Sequence, residues 1–415
     1  MRKSLFILFI FFSFGSSIKA ELLITQANVH VGDGTDAFTA DILIKDGVIQ
    51  RIATNISPQS NWEVIDAGGL NVTPGLISPT SNIGIVEINA LDVTRDDESE
   101  FLKSGFSVFH AFNPNSTLIP WNRSNGVTGT ISTPSWRSFP LWGMGSYFLL
   151  DASMNITGLK DVAMYGRLGS SGRSRAEDIL VFESLFKLAM TIDIDDIEDE
   201  LDDSHLAEKF ELQPEDILAI RRLIKEKLPF VLETNRAADI LQAIRLKNTF
   251  GLNLILASVE EAPLVLEALA AADIPVIIDP MDNIPNSFDE LASSLDLAGT
   301  LDQAGITIMF STQRSHNYHL MRQGAGNAVA YGMDYNNAIK GMTKAVADIF
   351  RIPNRGSVQV GNYADLVVWD GDPLEPSTFP KYVFINGESM DLTTRSSRLT
   401  ERYSKETSKP RSYLH

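Results

Sequence analysis

The chain has 415 residues, no cysteine and a formal net charge of −18, with 44% apolar residues. That apolar share is enough to bury a large core, and the length suits one large α/β domain with an appendage, or two domains. The acidic balance excludes nucleic acid and anionic membrane surfaces as natural partners, and the absence of cysteine excludes disulfides, thiol ligands and thiol nucleophiles.

Met1-Arg-Lys3 is basic, Leu5 to Phe14 is apolar but too short to span a bilayer, and Gly15 to Ala20 is rich in small residues. These are the three regions of a secretory signal peptide, with cleavage expected after Ala20. No cysteine follows, so a lipoprotein is excluded. The reading is an exported protein, periplasmic or secreted, from a Gram-negative bacterium, with no stable membrane anchor.

Residues 21–73 read as short strands, with Asp46-Gly47 at the turn of a hairpin over residues 40–52. The segment Val72-Thr-Pro-Gly-Leu-Ile-Ser-Pro-Thr-Ser-Asn82 reads as a buried strand that ends in small polar residues. Strands are expected at 126–134, 228–233, 252–258, 274–279 and 306–311, with amphipathic helices over 237–250 and 260–272 between them. Short strands alternating with such helices imply a parallel sheet closed as a (β/α)8 barrel over 74–350. Residues 356–369 and 382–387 are again β-rich. Paired with 21–73, residues 351–395 complete a composite β-sandwich, and 396–415 form a tail. The acidic run from Ile192 to Asp203 lacks the bend glycine of a calcium loop and reads as a solvated amphipathic helix.

Several strings together resemble the amidohydrolase superfamily, in its imidazolonepropionase-like branch. They are Pro74-Gly-Leu-Ile77, Gly126-Val-Thr128, Leu232-Glu-Thr-Asn-Arg-Ala-Ala-Asp-Ile240, the run from Gly356 to Pro373, and Val383-Phe-Ile-Asn-Gly387. The resemblance implies a TIM barrel with a composite sandwich and, in intact members, metal-assisted hydrolysis of C–N bonds. Its metal ligands would be His-x-His after strand 1, a carboxylated lysine at strand 4, histidines at strands 5 and 6, and an aspartate at strand 8. In this chain those positions carry Thr80 and Asn82, the region of Tyr165, Glu233-Thr-Asn235, Ser258 and Gln313. Only Glu233 is a strong donor among them, and zinc wants three or four ligands with nitrogen or sulfur among them. An amide at the strand-8 position cannot take a proton from water.

The expectation is therefore a member without its metal and without a cofactor. Its polar floor of Thr80, Asn82, Glu233, Asn235, Ser258 and Gln313 would bind a small polar molecule. Support of a partner, as a homo-oligomer or beside an intact relative, is the related reading. The alternative is residual hydrolysis of cyclic amide or dipeptide-like bonds with a displaced metal or none. Its candidates are Glu233 with His316, or a shifted site of Glu233, His316 and His319. Arg167, Arg173 and Arg175 fall in a Gly/Ser-rich stretch that reads as a surface loop or an anion clamp, with Arg236 and Arg314 flanking the site. Trp121, Trp136 and Trp142 are expected in loops, at the mouth or in the core. His30 and His205 read as surface or packing residues, and His110, in Phe109-His-Ala-Phe112, as a core histidine.

Overall fold

The computed structural model describes residues 21–135, 139–169, 174–312 and 314–404. The leader expected at 1–20, Trp136, Arg173, Gln313 and the end of the tail lie outside the described residues. No described helix is long and apolar enough to cross a membrane.

The first strands are β1 (Leu22–Val29), β2 (Phe38–Lys45), β3 (Val48–Ala53), β4 (Glu63–Asp66) and β5 (Asn71–Pro74). The β2–β3 hairpin turns at Asp46 (φ 49°) and Gly47 (φ 81°). Both central residues of the turn are thus left-handed, the twist that matches flanking strands. One edge of β1 pairs with β2; the other pairs first with β4 and then, beyond a bulge at Thr25–Gln26, with β5.

The barrel strands follow: β6 (Leu76–Ser81), β7 (Val127–Ser132), β8 (Leu141–Leu149), β9 (Gly158–Arg167), β10 (Pro229–Thr234), β11 (Asn253–Ser258), β12 (Val276–Ile278) and β13 (Ile308–Phe310). They lie in sequence order in one sheet that curls into a nearly closed barrel. Helices such as Arg175–Thr191, Pro214–Lys225 and Ala237–Phe250 cover its outside. The last of these stops at Gly251 in the left-handed conformation (φ 64°).

The α/β barrel with a terminal sheet stands, but one strand departs from the eightfold repeat. β8 runs antiparallel to both β7 and β9. The links 133–140 and 150–157 are too short for a helical crossover, so the chain must reverse. This corrects two expectations. Trp142 is in β8 rather than a loop, and Arg167 closes β9 rather than opening a loop; Trp121 lies in the helix Leu118–Arg123.

The chain then returns to the first sheet through β14 (Leu366–Trp369), β15 (Pro380–Ile385) and β16 (Glu388–Ser389). β14 pairs with β5, so both ends of the chain share one sheet. The two bodies are joined through buried polar contacts. Arg322 gives its guanidinium to the carbonyls of Pro373 (2.8 Å), Glu375 (2.7 Å) and Thr378 (3.0 Å), under the ring of Trp369. Trp369 Nε1 in turn donates to Thr73 Oγ1 (2.9 Å).

Candidate functional site at the barrel mouth

The C-terminal ends of the parallel strands surround a cavity of about 300 Å³, where barrel proteins place their sites. Thr80 and Asn82 enter it from β6, and Thr133 and Ser135 from the link after β7. Trp142, Arg167 and Glu233 line it from β8, β9 and β10. Ser258 ends β11 and Glu260 follows it, Asp279 and Asp282 follow β12, and Ser311 and Thr312 follow β13.

Tyr165 ties β9 to the tip of β6. It is buried in β9, and its hydroxyl donates to the carbonyl of Pro79 (2.9 Å) with Thr80 beside it. β9 and β6 are separated in the sheet by β8 and β7. The phenol therefore passes over β8 and reaches across the barrel interior to β6. Glycine at 145 makes room: a Cβ there would lie 2.5 Å from the tyrosine ring. Burial pushes the phenol pKa well up, so it stays a neutral donor.

Asn82 is held at both ends of its amide, donating to Thr133 O (3.2 Å) and accepting from the Tyr318 hydroxyl (3.2 Å). Glu233 is ion-paired with Arg167, whose guanidinium also lies over the Trp142 ring at 5.8 Å. Asp279 meets Arg314 at 3.4 Å. Further out, Arg175 binds Asp239 (2.7 Å) and Asp289, and Arg236 binds Asp289 (2.6 Å). Arg167, Arg175, Arg236 and Arg314 are thus each matched by carboxylates of the protein itself.

The sequence reading missed Glu260. Ser258 (φ 77°) and Val259 (φ 62°) are both left-handed, a strained state for a β-branched residue. The turn is pinned from the neighbouring strand. Val259 N–H donates to Thr234 O (3.0 Å), Glu261 N–H to Asn235 O (2.9 Å), and the Glu261 carboxylate accepts from Ala237 N–H (2.8 Å). Glu261 is thereby committed to the helix start, while Glu260 lines the cavity. Its partner is the amide of Asn235, which donates to Oε2 at 2.6 Å. Burial, reinforced by Glu290, Asp282 and Glu233, pushes the Glu260 pKa up to about 7. Asp282 is also raised, chiefly by burial.

The histidines stand apart from this cavity. His316 does not line it; its carbonyl accepts from Asn122 Nδ2 (3.0 Å). His319 is buried, with Nδ1 3.3 Å from Asn122 Oδ1 and its ring edge-on to Trp121. Desolvation lowers its pKa to about 4, so it is neutral near pH 7. The shifted site of Glu233, His316 and His319 is not assembled, because a short 3-10 turn at Tyr318–Leu320 buries His319 away from the cavity. His110 is exposed rather than in the core, and His205 is exposed beside Glu208. His30 is packed beside Asn71. Among the described residues, no three His, Asp or Glu side chains converge on a possible metal position. The donor set does not fit a zinc ion: Thr80, Asn82 and Ser258 offer hydroxyls and an amide, and Glu233 is paired with Arg167.

Comparison with known proteins bears out the family resemblance. Residues 254–390 match the sequence model of the amidohydrolase family. A stretch of 64 residues, 15% of this chain, is 39% identical to the amidohydrolase tasK of Hapsidospora irregularis. The match spans 6% of that protein's length. Among solved structures, an amidohydrolase from Thermotoga maritima MSB8 superposes with a TM-score of 0.76 at 22% identity, covering 89% of this chain and 99% of that one. Molinate hydrolase gives 0.55 at 16% identity, covering 90% and 95%. The L-hydantoinase (dihydropyrimidinase) of Arthrobacter aurescens gives 0.50 at 14%, covering 89% and 95%. At such identities the structural matches carry the fold alone. The chain thus matches the amidohydrolase family by sequence over residues 254–390 and shares the fold of these proteins over nearly its whole length.

Proposed function

We propose that this protein is an exported amidohydrolase-superfamily member that binds a small polar ligand at its barrel mouth without the family's metal-dependent hydrolysis. The observation that supports this most is the character of the cavity. It keeps the family's place at the strand ends, yet presents Thr80, Asn82 and Ser258 where imidazoles would stand. Such hydroxyls and amides bind neutral and charged hydrogen-bonding groups, but do not activate water as a bound cation would. The export part of the reading rests on the composition of residues 1–20.

The expected behaviour is ligand affinity that depends on the mouth while the fold does not. Thr80→Val keeps the side-chain shape and removes the hydroxyl; Asn82→Ala removes the amide. Each should weaken a ligand found by thermal-shift screening by about tenfold, the value of one lost hydrogen bond to a desolvated group. Their circular dichroism spectra should match the parent's. Unchanged affinity in both variants removes the proposal.

A further inference from the structure

We propose that the mouth selects an amino alcohol: a small molecule joining a protonated amine to hydroxyl groups, with Glu260 as counter-ion to the amine. This rests on the reading of the mouth as a ligand site and names the chemistry of its ligand. Two neighbouring carboxylates at the strand ends have cations of the protein, Glu233 with Arg167 and Asp279 with Arg314, while Asp282 feels the Arg314 charge. Glu260 differs. Among the described residues no lysine, arginine or histidine pairs with it, and its close partners are its own backbone N–H and the neutral Asn235 amide. A partly buried carboxylate beside a cavity, facing further carboxylates, is a charge the fold leaves uncompensated. An ammonium group in the cavity supplies the missing countercharge and three donors.

The second half of the ligand follows from the rest of the lining. Thr80, Ser258, Ser311 and Thr312 bring hydroxyls to the same cavity, and each can donate and accept. Hydroxyls on the ligand suit that lining; an amine without them would leave it unmatched, and an acid would face Glu260 with like charge.

The test is isothermal titration of the full chain at pH 8 and low salt with two matched series. One is glucamine, sorbitol and gluconate; the other is ethanolamine, ethylene glycol and glycolate. In at least one series the amine should bind about tenfold or more tighter than its neutral and acidic counterparts. Glu260→Gln should abolish that preference, and Thr80→Val should weaken all binding members of the series alike. If the amine leads in neither series, or leads equally in Glu260→Gln, the inference is wrong. A neutral or acidic member that binds best and depends on Thr80 would overturn the amine assignment while leaving the ligand site standing. Binding by no member would overturn the amine assignment, and the Thr80 and Asn82 variants would then decide the site by themselves.

Discussion

Tyr165→Ala should destabilise the protein by about 4 kcal/mol, the range for removing a large buried aromatic side chain. Two losses add. The ring leaves a void in a barrel interior that β8 has shaped with a glycine at 145. The Pro79 carbonyl loses its 2.9 Å donor at the tip of β6, next to Thr80. Tyr165→Phe separates the two losses. It keeps the ring and should cost about 1–2 kcal/mol, the penalty of an unpaired buried acceptor. Denaturant midpoints of the three proteins, at equal slope, read this directly. Equal stability of parent and alanine variant would mean that the phenol does not bridge the barrel.

Glu260→Gln should do the opposite, and only above mildly acidic pH. An unfolded glutamate releases its proton near 4.5, whereas in the fold Glu260 holds its proton to about 7. Between those values the native protein binds the extra proton, so stability contributed by this group falls as pH rises through the window. Below about 4.5 both states are protonated and the cost is absent. Glutamine carries no charge at any pH. The variant should therefore gain on the order of 2 kcal/mol over the parent at pH 8 and nothing near pH 4. Melting temperatures across that range give the answer. A gain that is independent of pH would assign the effect to packing instead.

Much of the fold was legible because its signals are local. Asp46-Gly47 between alternating runs forces a hairpin, and Gly251 after an amphipathic stretch ends a helix. The strand tips at Thr80, Glu233 and Ser258 follow from the same alternation of strand and helix. β8 and β9 were not found, because Trp142 to Leu150 mixes apolar residues with glycines whose purpose, room for Tyr165 and other close approaches, is visible only in three dimensions. The length of the links did hold a clue. Residues 133–140 cannot contain a crossover helix, so a strand following them had to run backward.

The site divides in the same way. Thr80, Asn82, Glu233 and Ser258 come together around one cavity. Asn235 stands just behind it, holding Glu260, and Gln313 lies outside the described residues. Glu260 escaped notice because nothing in Ser258-Val-Glu-Glu261 announces two successive left-handed residues. The one available signal was two acidic residues placed directly after a strand end, and which of them faces the cavity is decided by the helix start that claims Glu261. His110 and His319 were misjudged for a related reason: burial depends on which way a short 3-10 turn faces, and sequence spacing does not fix that.

The chemistry of the strand tips is tested most directly by metal content. The purified chain, incubated with excess zinc and then manganese, is passed over a desalting column and analysed for bound ions. With hydroxyls and an amide at Thr80, Asn82 and Ser258 and with Glu233 held by Arg167, the metal recovered should be far below one ion per chain. One tightly kept ion per chain, lost on Thr80→Val or Glu233→Gln, would contradict it.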